Sequence, residues 1–152
     1  LERMGVDLSV KDTCLRVRGG KLVAARKIAT DVWPGFPTDM ASVFISLATQ
    51  AEGMTLIHDW MYEGRMFFVD RLVSMGADIV LCDPHRCAVS GPTPLHGRKV
   101  HSPDLRAGMA LVLAGLAADG TTEIGGAELV ERGYEDIVPR LTTIGARMTK
   151  ID

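Results

Sequence analysis

Two stretches of this chain carry apolar residues at helical spacing, and they sit in matching contexts. After Pro37 the apolar positions are Met40, Val43, Phe44, Leu47, Ala48 and Ala51, one face of an amphipathic helix. Thr38 or Asp39 is placed to cap its first amide groups, and Gly53 to stop it. The second stretch has Leu105, Met109, Val112, Leu113 and Leu116 on one face. There Ser102 reads as the N-cap, Pro103 as the first helical residue and Gly120 as the stop. Shorter helices are predicted over 66–75 and 134–144, each ending at a glycine. Strands are predicted over 14–17, 22–25, 54–59, 78–82, 86–90, 121–124 and 147–151, with Asp83-Pro84-His85 turning a hairpin. A complete unit then runs strand, helix, strand, helix, strand, strand. Helices with one apolar face need a sheet to cover, so the expected fold class is α+β, with helices packed on sheets.

The pattern repeats. Leu1-x-x-Met4-Gly5 returns as Leu72-x-x-Met75-Gly76 and as Leu141-x-x-Ile144-Gly145, with glycine steps of 71 and 69 residues. Pro37-Thr38-Asp39 and Pro103-Asp104 head the two long apolar runs, and Glu63-Gly64-Arg65 and Glu131-Arg132-Gly133 follow them. Repeats fix architecture. The chain divides on this basis into the tail of one unit (1–18), a complete unit (19–90) and a further unit (91–152). Residues 1–5 read as the last turn of a helix begun upstream, so the chain is expected to be part of a longer protein.

Composition changes this picture little. The 152 residues are 47% hydrophobic and 24% charged with a formal net charge of −2. That is an ordinary globular balance without the basic footprint of a nucleic-acid binder. No apolar run reaches the ~18 residues of a membrane span, and no leader pattern is present. Three cysteines at no metal-binding spacing read as reduced thiols of a cytoplasmic protein. His58, His85, His96 and His101 read as turn or surface residues, Trp33 and Trp60 as packing residues. The Gly-Gly pairs at 19–20 and 125–126 lack the Gly-Lys-Ser/Thr of a phosphate loop.

The chemistry rests on charged residues at corresponding places. Asp39 and Asp104 both fall at helix starts, where a carboxylate satisfies free amides and meets the positive end of the dipole. Arg65, Arg106 and Arg132 lie close in sequence logic, and arginine beside a helix N-terminus suits an anion.

Taken in order, Phe36-Pro37-Thr38-Asp39-Met40, Glu63-Gly64-Arg65, Ser74-Met75-Gly76-Ala77-Asp78, Asp104-Leu105-Arg106-Ala107 and Glu131-Arg132-Gly133-Tyr134-Glu135 resemble the UDP-N-acetylglucosamine 1-carboxyvinyltransferase family, the enolpyruvyl transferases of peptidoglycan synthesis. The resemblance covers nearly the whole chain and corresponds to the C-terminal part of a member, less than half its length. It implies an incomplete domain of an inside-out α/β barrel, in which strand-helix units surround buried helices. It also implies transfer of the enolpyruvyl group of phosphoenolpyruvate to the 3-hydroxyl of UDP-N-acetylglucosamine, with phosphate released and no metal or cofactor.

By the same resemblance Asp39 takes the proton of the sugar hydroxyl. Thr38, Asp39 and the Met61 backbone bind the UDP-sugar, and Arg132 holds phosphoenolpyruvate. Arg65, Asp104 and Arg106 orient anions in the cleft. The chain departs from the family pattern at Ala41, Gly64 and Gly108, none of which removes a charge. The family's mobile-loop cysteine or aspartate, with a lysine and an arginine, belongs to the other domain, and Cys14, Cys82 and Cys87 match no such loop. The chain alone is therefore expected to be inactive and to self-associate through faces meant for the remainder of the enzyme. Three rivals stand against this reading. 5-enolpyruvylshikimate-3-phosphate synthase lacks the Phe-Pro-Thr-Asp-Met string, and the RNA 3′-terminal phosphate cyclase has a histidine motif missing here. The third is a non-catalytic α/β repeat module whose charged pairs only pin helix ends.

Overall fold

The computed structural model describes residues 1–151. A short 3-10 turn, Glu2–Met4, leads into the antiparallel hairpin of β1 (Asp7–Lys11) and β2 (Cys14–Arg18). Next come β3 (Lys27–Ala29), a 3-10 turn at Thr38–Met40, α1 (Ala41–Ala48) and β4 (Gly53–His58). A further 3-10 turn, Arg65–Phe68, runs into α2 (Val69–Ser74), followed by β5 (Asp78–Asp83) and β6 (Arg86–Gly91). The last segment holds β7 (Lys99–His101), α3 (Leu105–Ala117), β8 (Glu123–Gly125), α4 (Ala127–Glu131) and α5 (Ile137–Thr143).

Two crossovers organise the fold. β3 and β4 pair in parallel across α1, and β7 and β8 pair in parallel across α3. The central sheet runs β3-β4-β6-β5, with β6 antiparallel to both neighbours and a register shift between Leu81 and Asp83 at the hairpin end. The recurring glycines close the short helices in the same way. Gly76 (φ 107°) and Gly145 (φ 103°) take the left-handed conformation that side chains resist. Behind them Ala77 N donates to the Leu72 carbonyl and Ala146 N to the Leu141 carbonyl, as at a glycine-capped helix end.

α1 and α3 pack against each other inside the sheets. One buried cluster joins Ile45 and Ala48 of α1 to Ala107, Ala110, Leu111 and Ala114 of α3. Ile57, Cys87 and Val89 close it from the sheet, and Phe68, Leu72 and Met75 from the α2 segment. Small residues at the contact let the backbones approach, and Ser46 Oγ donates to the Ala110 carbonyl at 2.9 Å. The strand-helix architecture with buried helices matches the expectation from sequence. The helix faces do not. α1 has no exposed residue, and its fully buried side is Ala41, Ser42, Ile45, Ser46 and Ala48 rather than Val43, Phe44 and Leu47. A helix buried on every side has no single stripe to find.

Other expectations need correction. Residues 22–25 form no strand, only a bridge between Val23 and Glu52, and the strand follows at Lys27–Ala29. Residues 147–151 are in no ladder among the described residues, and β1, β7 and α4 were not anticipated. α1 ends at Ala48, where Thr49 Oγ1 bonds back to the Ser46 carbonyl, so Gly53 opens β4 instead of stopping the helix. α3 ends at Ala117, because Ala118 is extended, three residues short of Gly120. Trp33 is no packing residue, being 91% exposed, and Trp60 is half exposed.

The end of β6 lies against the C-terminus of α1. A Cβ on Gly91 would stand 2.6–2.9 Å from the Ala51, Thr49 and Ala48 carbonyls, whereas one on Gly19 would meet nothing. Denaturant unfolding should show Gly91→Ala less stable by about 1–3 kcal/mol, with Gly19→Ala within about 0.5 kcal/mol of the parent.

Candidate active site

The parallel pairs bring chemistry to one edge. Thr30 follows β3 and Asp59 follows β4, side by side at the carboxyl ends of the strands, with Thr30 N donating to the His58 carbonyl at 2.9 Å. α1 rises from the carboxyl end of β3 and α3 from that of β7, since each helix follows the first strand of its pair. Open α/β sheets place ligand sites there.

Asp59 is wholly buried. Its Oδ1 accepts from Thr30 Oγ1 (2.8 Å), Met61 N (3.1 Å) and Tyr62 N (3.3 Å). Its Oδ2 accepts from Thr38 Oγ1 and lies 3.7 Å from Arg65 Nε. The backbone is pinned as well: Asp59 N donates to the His85 carbonyl and His85 Nδ1 lies 2.8 Å from the Asp59 carbonyl. Arg65, whose side chain is 8% exposed, covers the Tyr62 ring at 4.3 Å and reaches Asp39 with Nη2 to Oδ1 at 3.5 Å. Its Nε is buried without a hydrogen-bond partner, since 3.7 Å is an ion-pair distance and too long for a hydrogen bond.

Asp39 is thus held from two sides. Arg106 Nη2 lies 2.6 Å from its Oδ2, while half of the carboxylate side chain stays open to solvent. Partial burial acts to lower the Arg106 pKa, but hydrogen bonding to Tyr134 and the charge of Asp39 outweigh it and raise the pKa above its ordinary value. Asp59, Arg65, Asp39 and Arg106 form a line of alternating charge from the end of β4 to the start of α3.

The two helix-start aspartates have different jobs. Asp104 is the N-cap of α3, its Oδ1 accepting from Arg106 N (2.7 Å) and Ala107 N (3.0 Å). Ser102, expected as the cap, instead donates its hydroxyl to the Asp104 carbonyl. Neither Thr38 nor Asp39 caps α1. Thr38 and Asp39 spend their side chains on Asp59 and the two arginines.

Of the residues singled out from sequence, Thr38, Asp39, Arg65, Arg106 and Asp104 come together. Met61 lies on the Asp59 turn with its N–H already bonded to that carboxylate. Arg132 is exposed at the C-terminal end of α4, and its side chain makes no ion pair among the described residues. Two residues on, Tyr134 acts on the Arg106 charge, so the segment after α4 comes toward the start of α3. Sequence reasoning missed Asp59, Thr30 and Tyr134. An acid closing an apolar strand six residues before an arginine was the available signal for Asp59.

The cluster is covered at Asp59 and Arg65 and open to solvent at Asp39. A cavity of about 380 Å³ lies instead at the far end of α3, lined by Leu116, Leu141, Ile144 and the 145–147 segment, with Arg147 its one charged residue. Among the described residues no group of three His, Cys, Asp or Glu is arranged to hold a metal, and no helix is long and apolar enough to cross a membrane.

Chemically, the arrangement offers a solvent-accessible carboxylate fixed by two guanidinium groups. Asp104→Ala should cost about 0.5–2 kcal/mol in thermal or denaturant unfolding, the range for loss of an N-cap. The thiols supply a second check. Burial, with a smaller contribution from Cys82, pushes Cys87 up to about 12, so it stays a neutral thiol at pH 8. Cys14 and Cys82 are exposed. A thiol reagent at pH 8 should label those two in the native protein and reach Cys87 only after unfolding.

Residues 1–141 match the family model described as EPSP synthase (3-phosphoshikimate 1-carboxyvinyltransferase). The UDP-N-acetylglucosamine 1-carboxyvinyltransferase of Treponema pallidum (strain Nichols) is 55% identical over 124 residues, 82% of this chain and 29% of that protein. The enzyme of the same name from Treponema denticola is 46% identical over 154 residues, 96% of this chain and 36% of the relative. This chain therefore spans about a third of the length of such relatives. Among solved structures, the enolpyruvyl transferase NikO from Streptomyces tendae superposes with a TM-score of 0.85 at 30% identity, covering 96% of this chain and 34% of that one. An EPSP synthase from Acinetobacter baumannii gives a TM-score of 0.67 at 16% identity over 99% of this chain and 35% of the other, a likeness of fold alone.

Proposed function

Because this chain belongs to the EPSP synthase family of enolpyruvyl transferases, we propose that the full-length polypeptide containing it transfers the enolpyruvyl group of phosphoenolpyruvate to the 3-hydroxyl of UDP-N-acetylglucosamine, releasing phosphate. The observation that carries this reading is the placement of Asp39. It heads a buried helix, is half exposed, and is clamped by Arg65 and Arg106 instead of capping the helix.

In the proposed reaction the net change is that the sugar oxygen takes the place of the phosphate oxygen on C2 of phosphoenolpyruvate, while the hydroxyl proton, received by Asp39, leaves with the phosphate. A base within hydrogen-bond reach of that hydroxyl is the requirement Asp39 meets. Arg106 and Arg65 hold the carboxylate in place, and Arg132, on the bordering segment, receives the phosphate or carboxylate of phosphoenolpyruvate. Arginine is suited to these anions because its planar fork pairs with two oxygens at once. Thr38 and the backbone at Met61 face the UDP-sugar, and Asp104 contributes by fixing the first turn that carries Arg106. Units 1–18, 19–90 and 91–152 belong on this reading to one domain. The rest of the polypeptide supplies the opposing wall, and residues 1–152 alone are inactive and self-associate. The proposal includes a cytoplasmic location and the first committed step of peptidoglycan synthesis.

The acceptor choice is supported by 44–55% identity to proteins named UDP-N-acetylglucosamine 1-carboxyvinyltransferase and by the Phe36-to-Met40 string. A 3-phosphoshikimate acceptor has the family model's description in its favour. Phosphate release by the full-length polypeptide with each acceptor separates them. Release should require phosphoenolpyruvate and UDP-N-acetylglucosamine, and Asp39→Ala should lower the rate by about 10²–10⁴-fold with the circular dichroism unchanged. Release with shikimate 3-phosphate alone would transfer the proposal to that acceptor, and release with neither would end it.

A further inference from the structure

Asp59 is the one fully buried acid in the described chain, and nothing in the transfer chemistry above uses it. Its surroundings are saturated: three donors on Oδ1, then Thr38 Oγ1 and the Arg65 guanidinium on Oδ2. A carboxylate without water needs such partners. Four of the donors come from three chain segments that border the site, namely the end of β3, the turn that leads into α1 and the 60–62 turn. Among the described residues the cation facing it is Arg65. That arginine is also nearly buried, so its guanidinium has no bulk water to relax into and its place is set by Asp59, by the Tyr62 ring and by Asp39.

We propose that Asp59 is a positioning residue for the transfer reaction, setting where the Arg65 guanidinium stands and through it the orientation of the Asp39 carboxylate. The proposal rests on the transferase reading given above. Arg65 stands between two acids, Asp59 on the inside and Asp39 on the solvent side, and the inner charge decides how far it leans toward the outer one. With the inner charge present, Arg65 Nη2 stays 3.5 Å from Asp39, while Arg106 makes the short contact at 2.6 Å. With it removed, Arg65 is left with Asp39 as its only counter-charge and moves onto it. The carboxylate is then turned and occupied where the sugar hydroxyl should meet it.

The test uses the full-length polypeptide. Asp59→Asn keeps a carbonyl oxygen for the Thr30, Met61 and Tyr62 donors, deletes the charge toward Arg65, and turns the Thr38 hydroxyl from donor to acceptor, since an amide NH2 replaces Oδ2. A displacement of about 1 Å in a reacting group costs on the order of 10²-fold, so kcat should fall by about that factor. The KM for UDP-N-acetylglucosamine should change by less than about threefold, the signature of an interaction needed in the transition state. In an Arg65→Ala background Asp59→Asn should change kcat by less than about twofold, because its route of action is gone. Thr30→Val, which removes one Asp59 hydrogen bond without touching a charge, should show the same dependence on Arg65 and serves if Asp59→Asn does not fold. A crystal structure of the charge-deleted variant should show Arg65 shifted toward Asp39.

Equal, multiplicative losses with and without Arg65 would overturn the proposal. So would lowered thermal stability with unchanged kcat per folded molecule, or an unmoved Arg65. If the wild-type polypeptide turns over no phosphoenolpyruvate with any acceptor, the transferase reading fails, and the position of Arg65 in the variant crystal still decides whether Asp59 sets it.

Discussion

The close approach of α1 and α3 is the constraint on which the rest of this structure depends. Alanines and serines face each other across the contact, and the Ser46 hydroxyl bonds to the Ala110 carbonyl of the neighbouring helix. An interior of this density transmits displacement, because small side chains leave nothing to deform. Each helix follows the first strand of a parallel pair, so packing the two helices together also brings their N-termini together. Asp39 at the head of one then meets Arg106 at the head of the other, across 67 residues of sequence. The charged line is a consequence of the helix contact.

That geometry separates two residues the repeat makes look alike. Asp104 follows an extended backbone turn with its own φ near −160°, which aims the carboxylate back at the amides of Arg106 and Ala107. Asp39 instead sits inside a 3-10 turn, one residue before the cap position of α1 that Met40 holds, and its side chain lies between two arginines. One repeat spends its acid on holding the helix. The other leaves its acid half exposed between two guanidinium groups.

Much of the architecture was legible in the residues. The glycine-closed turns at Gly76 and Gly145, the β5–β6 hairpin and both long helices follow from period, β-forming residues and turn chemistry. The faces of the helices were less legible, because a helix buried all round hides its contact surface among alanines while Phe44 and Leu47 pack elsewhere. Three-residue strands such as β3 and β7 exist because a parallel neighbour pairs with them, and their own residues carry little pattern. In the site, Thr38, Asp39, Arg65 and Arg106 were found as charged or capping residues at repeated positions. Asp59 and Thr30 were not, since what makes them matter is burial and adjacency at the ends of two strands. Tyr134 gains its contact only through the fold of α4 onto α3.

The Asp39 cluster faces outward, beside half-exposed Trp60 and Tyr62, and the chain spans about a third of the length of its relatives. A charged surface open at Asp39 becomes a water-excluding site when a second wall meets it, and such exclusion strengthens every charge inside. The central claim is that the Asp39 carboxylate, set between Arg65 and Arg106, receives the acceptor hydroxyl. The most direct measurement is a crystal structure of the full-length polypeptide with UDP-N-acetylglucosamine bound. The account predicts a carboxylate oxygen of Asp39 within about 2.6–3.2 Å of the sugar 3-hydroxyl. A sugar bound elsewhere, with Asp39 still paired to both arginines and touching no ligand atom, would contradict it.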